Sequence, residues 1–149
     1  MKKDPDRMVE QHFFEEISIG QTESITKKVT PALVEAFAEV SGDNNPLHLD
    51  AAYAKTTMFG ERIAHGALTT AFVSAVLGTK LPGLGTVFVS QSTKFIAPVK
   101  LGDEVEAIVE VTDKIPEKNR VVFTTRCQVG DKKVVVGEAI VYVPNRPKA

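Results

Sequence analysis

The run from Ala67 to Leu77 restricts the fold more than any other stretch. Ala67, Leu68, Ala71, Phe72, Ala75, Val76 and Leu77 put apolar side chains on nearly every face of a helix that starts beyond His65-Gly66, with Gly78 as its expected C-terminal stop. A surface helix keeps one polar stripe, whereas this one has to be enclosed. Its small residues, Ala67, Ala71, Ser74 and Ala75, are expected to let a sheet approach closely.

The second half of the chain supplies such a sheet. Segments 86–92, 101–111, 120–129 and 134–143 are rich in β-branched residues. Gly102-Asp103, Pro116-Glu117-Lys118-Asn119 and Gly130-Asp131 separate them as turns. Val105, Ala107, Val109 and Val111 alternate with Glu104, Glu106, Ile108 and Glu110, the pattern of an antiparallel strand with one wet face. A long buried helix followed by consecutive antiparallel strands predicts an α+β domain in which the sheet curls around the helix.

The first half leads up to that helix. Residues 1–12 read as a flexible polar lead-in and 13–149 as one domain. Phe13, Phe14, Ile17 and Ile19 anchor the entry, and 22–29 reads as an edge strand. Thr30-Pro31 then starts a helix with Leu33, Val34, Phe37 and Val40 on one stripe. Asp50 is placed to cap a short helix through Ala54, and 56–62 is an irregular segment suited to a lid or pocket wall.

At 149 residues the chain is long enough to bury a core without disulfides, and its one cysteine, Cys127, excludes an internal disulfide and any cysteine-rich zinc site. Eighteen basic residues against nineteen acidic ones give no electrostatic footprint for nucleic acid. The charged start, Met1-Lys2-Lys3-Asp4-Pro5-Asp6-Arg7, does not read as a secretory segment, and no run approaches a membrane span. A cytoplasmic protein that binds neither nucleic acid nor membrane is expected.

Between the two helices lies Ser41-Gly42-Asp43-Asn44-Asn45-Pro46-Leu47-His48-Leu49-Asp50. It holds a carboxylate and an imidazole five residues apart. Pro46 prevents one regular helix from spanning the segment and biases Asn45 toward extended backbone. Asp43 and His48 can therefore converge. The turn formers before Pro46 predict a bend pinned by local side-chain hydrogen bonds.

That loop, with Phe14-Glu15-Glu16-Ile17-Ser18-Ile19-Gly20-Gln21, Arg62-Ile63-Ala64-His65-Gly66 and Phe95-Ile96-Ala97-Pro98-Val99 ahead of Gly102-Asp103, resembles the MaoC-like dehydratases, in particular the (R)-specific enoyl-CoA hydratases. The resemblance covers 13–143. It implies a hot-dog fold, a homodimer with its active site near the subunit interface, Asp43 and His48 as the catalytic pair, and the Gly66 N–H as the group that meets the thioester carbonyl. Ser74 aligns with a helix serine implicated near the site.

The chemistry can be argued from the residues as well. Hydrating an enoyl thioester needs a base for the water proton, an acid for the α-carbon, and a donor for the negative charge developing on the thioester oxygen. One water held between Asp43 and His48 would serve the first two roles, with either residue as base. A helix N-terminus at Gly66 would serve the third. Asn45 reads as a loop brace, His65 as a structural residue bonding loop backbone, and Ser74 as a group supporting the pair or bonded to its own helix. The scattered histidines predict no metal site, and no cofactor is called for beyond the coenzyme A of an acyl-CoA substrate. Acyl carrier protein is an alternative carrier. Arg62, Lys94 and Lys100 are candidate phosphate contacts, and 53–59 with the helix from Ala67 onward would bound the acyl pocket. A hot-dog thioesterase and a noncatalytic acyl-thioester binding module are the competing readings.

Overall fold

The computed structural model describes residues 9–148. Its order is β1 (Thr22–Lys28), α1 (Pro31–Ser41), α2 (Pro46–Leu49), α3 (Ala51–Lys55), α4 (Gly66–Thr79), β2 (Val87–Phe95), β3 (Glu104–Ile115), β4 (Arg120–Val129) and β5 (Lys132–Tyr142), with 3-10 turns at Phe14–Glu16 and Pro116–Lys118. The five strands form one antiparallel sheet ordered β1-β3-β4-β5-β2. β1 is an edge, as its polar composition predicts, and β2 is the other.

The sheet bends around α4, the hot-dog arrangement. Register shifts between Phe88 and Ser90, between Val111 and Asp113, and between Cys127 and Gln128 mark the irregularities that bend strands. Leu68, Phe72, Val73, Val76 and Leu77 of α4 are buried with Val105, Ala107, Val109 and Val111 of β3, Val121 and Phe123 of β4, and Val135, Ala139 and Val141 of β5. The alternation read in β3 therefore faces the helix. Cys127 lies in this core, and burial pushes its thiol up to about 12.

Several boundaries differ from the sequence reading. α4 passes through Gly78 and ends at Thr79, and the next N–H, of Lys80, still bonds the Val76 carbonyl. One glycine costs a helix only about 1 kcal/mol, less than packing supplies. The small residues of α4 do not face the sheet. Ala67, Ala71 and Ser74 lie on its exposed side and Ala75 is half-buried, while its bulky residues fill the core. In α1, Val34 and Ala38 are buried but Val40 is 83% exposed, because the inward stripe ends before the last turn.

The lead-in expected over 1–12 lies partly outside the described residues. Its described end is not loose. The Glu10 N–H bonds the Thr79 carbonyl at 2.7 Å, the His12 N–H bonds the Pro82 carbonyl at 2.9 Å, and Gln11 bridges to Gly83. Gly83 has φ +84°, and a Cβ there would overlap the Glu10 carbonyl oxygen. No side chain fits. Gly83→Ala is expected to destabilise the fold by about 2 kcal/mol through left-handed backbone strain and the overlap, measured by urea unfolding against wild type.

Candidate active site

The site is assembled from three short pieces of backbone. α1 ends on Gly42, whose φ of +82° lets its N–H bond the Ala38 carbonyl at 2.9 Å. Ser41 Oγ donates to the Phe37 carbonyl at 2.6 Å and accepts the Asp43 N–H at 3.1 Å. Asp43 Oδ1 then accepts the Asn45 N–H at 3.2 Å, and Asn45 Oδ1 caps α2 by accepting the Leu47 N–H at 3.1 Å, with Pro46 at the first helical position. Two of the turn formers read in the sequence, Asp43 and Asn45, each accept the N–H two residues on. Asp50 likewise caps α3 through the N–H groups of Ala52 and Tyr53.

α2 carries His48 inward, where it is 9% exposed. Its Nδ1 lies 2.8 Å from the Ile63 carbonyl. A carbonyl oxygen only accepts, so Nδ1 holds the proton and Nε2 of the uncharged ring is left with a lone pair. The His48 carbonyl in turn accepts Arg62 Nε–H at 2.7 Å. Residues 62 and 63 thus grip His48 at both its backbone and its ring.

His65 is 1% exposed. Its ring stacks on that of His48, with centroids 3.9 Å apart and planes 29° apart, and Phe37 lies 5.0 Å away on a tilted plane. Its Nε2 donates to the Asp43 carbonyl at 3.0 Å. A carboxylate oxygen of Asp43 and one nitrogen from each ring lie within 4.8 Å of one another. A single water making two hydrogen bonds of about 2.8 Å spans that separation.

The same three residues are the candidates for holding a metal ion. Imidazole ligates in the plane of its ring at about 2.0–2.1 Å. Two stacked rings, each with one nitrogen already on a carbonyl, do not aim both lone pairs at one point. The geometry suits a water better than a cation.

Beside the pair opens a pocket of about 660 Å³, lined by His48, Phe59, Ile63, His65, Gly66, Thr69 and Val135 together with the 95–99 run. Gly66 is the first residue of α4, and His65 at the cap position makes no side-chain bond to the first turn. The leading N–H groups of a helix have no intrahelical acceptor and sit at the positive end of its dipole. A Cβ on Gly66 would lie 2.8 Å from the Phe95 ring, so glycine keeps this corner narrow but open.

The sequence reading and the pocket agree only in part. Phe59 and the start of α4 line it, whereas Tyr53 does not. The wall from Phe95 to Val99 and the residue Val135 were missed as lining. The 95–99 run was visible as a motif but carried no pattern that marks a wall, and Val135 reads as any core strand residue. Arg62, considered as a phosphate contact, is instead turned onto the His48 carbonyl. Lys100 Nζ lies 3.3 Å from Glu61. Ser74, two turns along α4, is exposed and outside the pocket, so within one protomer it does not support the pair.

Comparison with known proteins places this geometry in context. A family model described as a MaoC like domain matches residues 14–133. An (R)-specific enoyl-CoA hydratase of Rhodospirillum rubrum is 51% identical over 91% of this chain and 94% of its own. A 3-hydroxybutyryl-CoA dehydratase of Methylorubrum extorquens is 48% identical over 92% of this chain and 87% of its own. Among solved structures, the unliganded R-hydratase PhaJ1 of Pseudomonas aeruginosa superposes with a TM-score of 0.88 at 46% identity, covering 93% of this chain and 89% of that one.

Proposed function

This chain belongs to the MaoC-like dehydratase family, and we propose that it catalyses the reversible hydration of trans-2-enoyl-CoA to (R)-3-hydroxyacyl-CoA. The observation that carries the reading is that His48, on the wall of the pocket, has a ring nitrogen within 4.8 Å of an Asp43 carboxylate oxygen, while its Nδ1–H bond to the Ile63 carbonyl leaves Nε2 as an acceptor.

A water between Asp43 and His48 loses a proton to one of them as its oxygen attacks the β-carbon, and a proton is delivered to the α-carbon from the same side. One water served by both groups adds from one side, so addition in this scheme is syn. The thioester oxygen gains charge as the enolate forms and is stabilised by the Gly66 N–H at the positive end of α4. Every group in this scheme comes from the chain itself, and coenzyme A enters only as part of the substrate. Coenzyme A is the carrier favoured over acyl carrier protein, on the names of the two relatives at 51% and 48% identity.

The working unit in this reading is a homodimer. The outer edge of β2 has no partner strand among the described residues, and Val87, Phe88, Val89 and Phe95 are exposed along it. The small residues of α4 form an adjoining open stripe. An edge strand with unpaired N–H and C=O groups is a template for pairing, and a second copy meeting β2 with β2 would cover its apolar ends and extend the sheet. Among the described residues no helix is long and apolar enough to cross a membrane. A reducing cytoplasm suits the buried free thiol of Cys127.

Incubation with crotonyl-CoA is expected to consume the enoyl absorbance without releasing thiol to a trapping dye. Thiol release would instead indicate a thioesterase, and neither change a binding module. Asp43→Asn and His48→Gln are each expected to abolish turnover and leave the circular dichroism spectrum unchanged; full activity in either removes that residue from the mechanism. Proline is tolerated at the first position of a helix, and His65, at φ −60° and ψ 136°, already has the extended backbone it requires of its neighbour. Gly66→Pro therefore deletes one N–H, and Gly66→Ala controls for the added bulk. The proline variant is expected to lose about a hundredfold in kcat relative to the alanine variant. The double variant Val87→Glu with Val89→Glu is expected to run as a monomer in light-scattering chromatography where wild type runs as a dimer.

A further inference from the structure

We propose that His65 is a positioning residue that fixes both members of the Asp43/His48 pair at once. The inference deepens the hydratase reading and rests on it for the chemistry of the pair.

His65 touches each part of the site in a different way. Its Nε2–H holds the carbonyl of Asp43 itself, at 3.0 Å. Its ring face lies 3.9 Å from that of His48. Its own carbonyl and that of Gly66 begin α4, so it is bonded through the chain to the proposed oxyanion donor. A brace for the loop needs only the first of these contacts. Stacking adds a second constraint, because His48 can turn about its Cβ–Cγ bond only by sliding its plane off the His65 ring. The Ile63 carbonyl holds one edge of the His48 ring, and His65 holds its face.

Its burial indicates that this arrangement costs the fold something. Nδ1 of His65 is buried and has no hydrogen-bond partner among the described residues. An imidazole sealed between Phe37 and His48 with one nitrogen unsatisfied is less favourable than a phenyl ring of similar size. The donor on Nε2 is what phenylalanine lacks. Buried polar groups that are not fully satisfied call for an explanation beyond packing, and the carbonyl that this donor reaches belongs to a member of the pair.

Two substitutions separate the two contacts. His65→Phe keeps the ring face and removes the donor, whereas His65→Gln keeps an amide donor at similar reach and removes the ring. In each, kcat with crotonyl-CoA is expected to fall tenfold or more, on the order of what loss of orientation costs, with KM within about twofold of wild type. Long-range nitrogen–proton spectra at pH 8 give a readout that needs no turnover. In wild type, His48 is expected as the single Nδ1–H tautomer and His65 as the single Nε2–H tautomer. His48 should remain fixed in His65→Phe and average between tautomers in His65→Gln.

Wild-type kcat in either variant, a loss confined to KM, or tautomer averaging at His65 in the wild-type protein would each overturn the proposal. Should neither variant fold, the wild-type spectra decide it. A wild-type protein that leaves crotonyl-CoA unchanged refutes the hydratase reading separately, while the spectra still report whether His65 holds the pair.

Discussion

The burial of α4 against the curved sheet is the constraint on which the remaining structure depends. Leu68, Phe72, Val73, Val76 and Leu77 seat the helix in the core, against β3 above all. Burying side chains of this size contributes roughly 1.5–3 kcal/mol each, enough to hold the helix in one place. Its N-terminus is held with it. Once that end is located, the Gly66 N–H, the pocket beneath Phe95 and the backbone of residues 63 to 65 have fixed positions. α1 to α3 then need only lay Asp43 and His48 over them.

The overlying segment is an irregular loop that behaves as a rigid one. Its side chains spend their hydrogen bonds on their own backbone, from Ser41 through Asp43 and Asn45 to Asp50. Three contacts then tie it to what lies below: His48 to the Ile63 carbonyl, Arg62 to the His48 carbonyl, and His65 to the Asp43 carbonyl. Local bonding shapes the loop, and these longer-range bonds seat it. Rigidity matters because aligned reacting groups account for much of an enzyme's advantage over solution.

Much of this could be read from the residues because the relevant physics is local. Thr30-Pro31 and Asp50 announced helix starts, and each side chain accepts the expected N–H, whereas the short α2 that Asn45 caps was not foreseen. Strict alternation in Val105 to Val111 gave the inward face of β3, and the five-residue spacing of Asp43 and His48 across Pro46 gave the pair. The rest is nonlocal. Nothing near Val135 in the chain says that it reaches the pocket, since sheet register alone brings it there. Arg62 carries a charge that suggests a surface role, and only the path of the 48 loop shows that it bonds inward. α4 is apolar on almost every side, so the sequence indicates enclosure, but the expectation that its small residues meet the sheet fails because bulky side chains bury more apolar surface on that face. The bulky residues take that face and the small ones remain outside.

The groups that do the aligning are mostly carbonyls of the main chain: those of Asp43, His48 and Ile63. They are present whatever side chain stands at their positions. Ile63 could drift to another apolar residue with its carbonyl still on His48, as long as the path of the chain is unchanged. The site therefore combines tolerance to amino-acid drift at several of its supports with intolerance to insertions or deletions between 43 and 66, which would shift every one of these groups together.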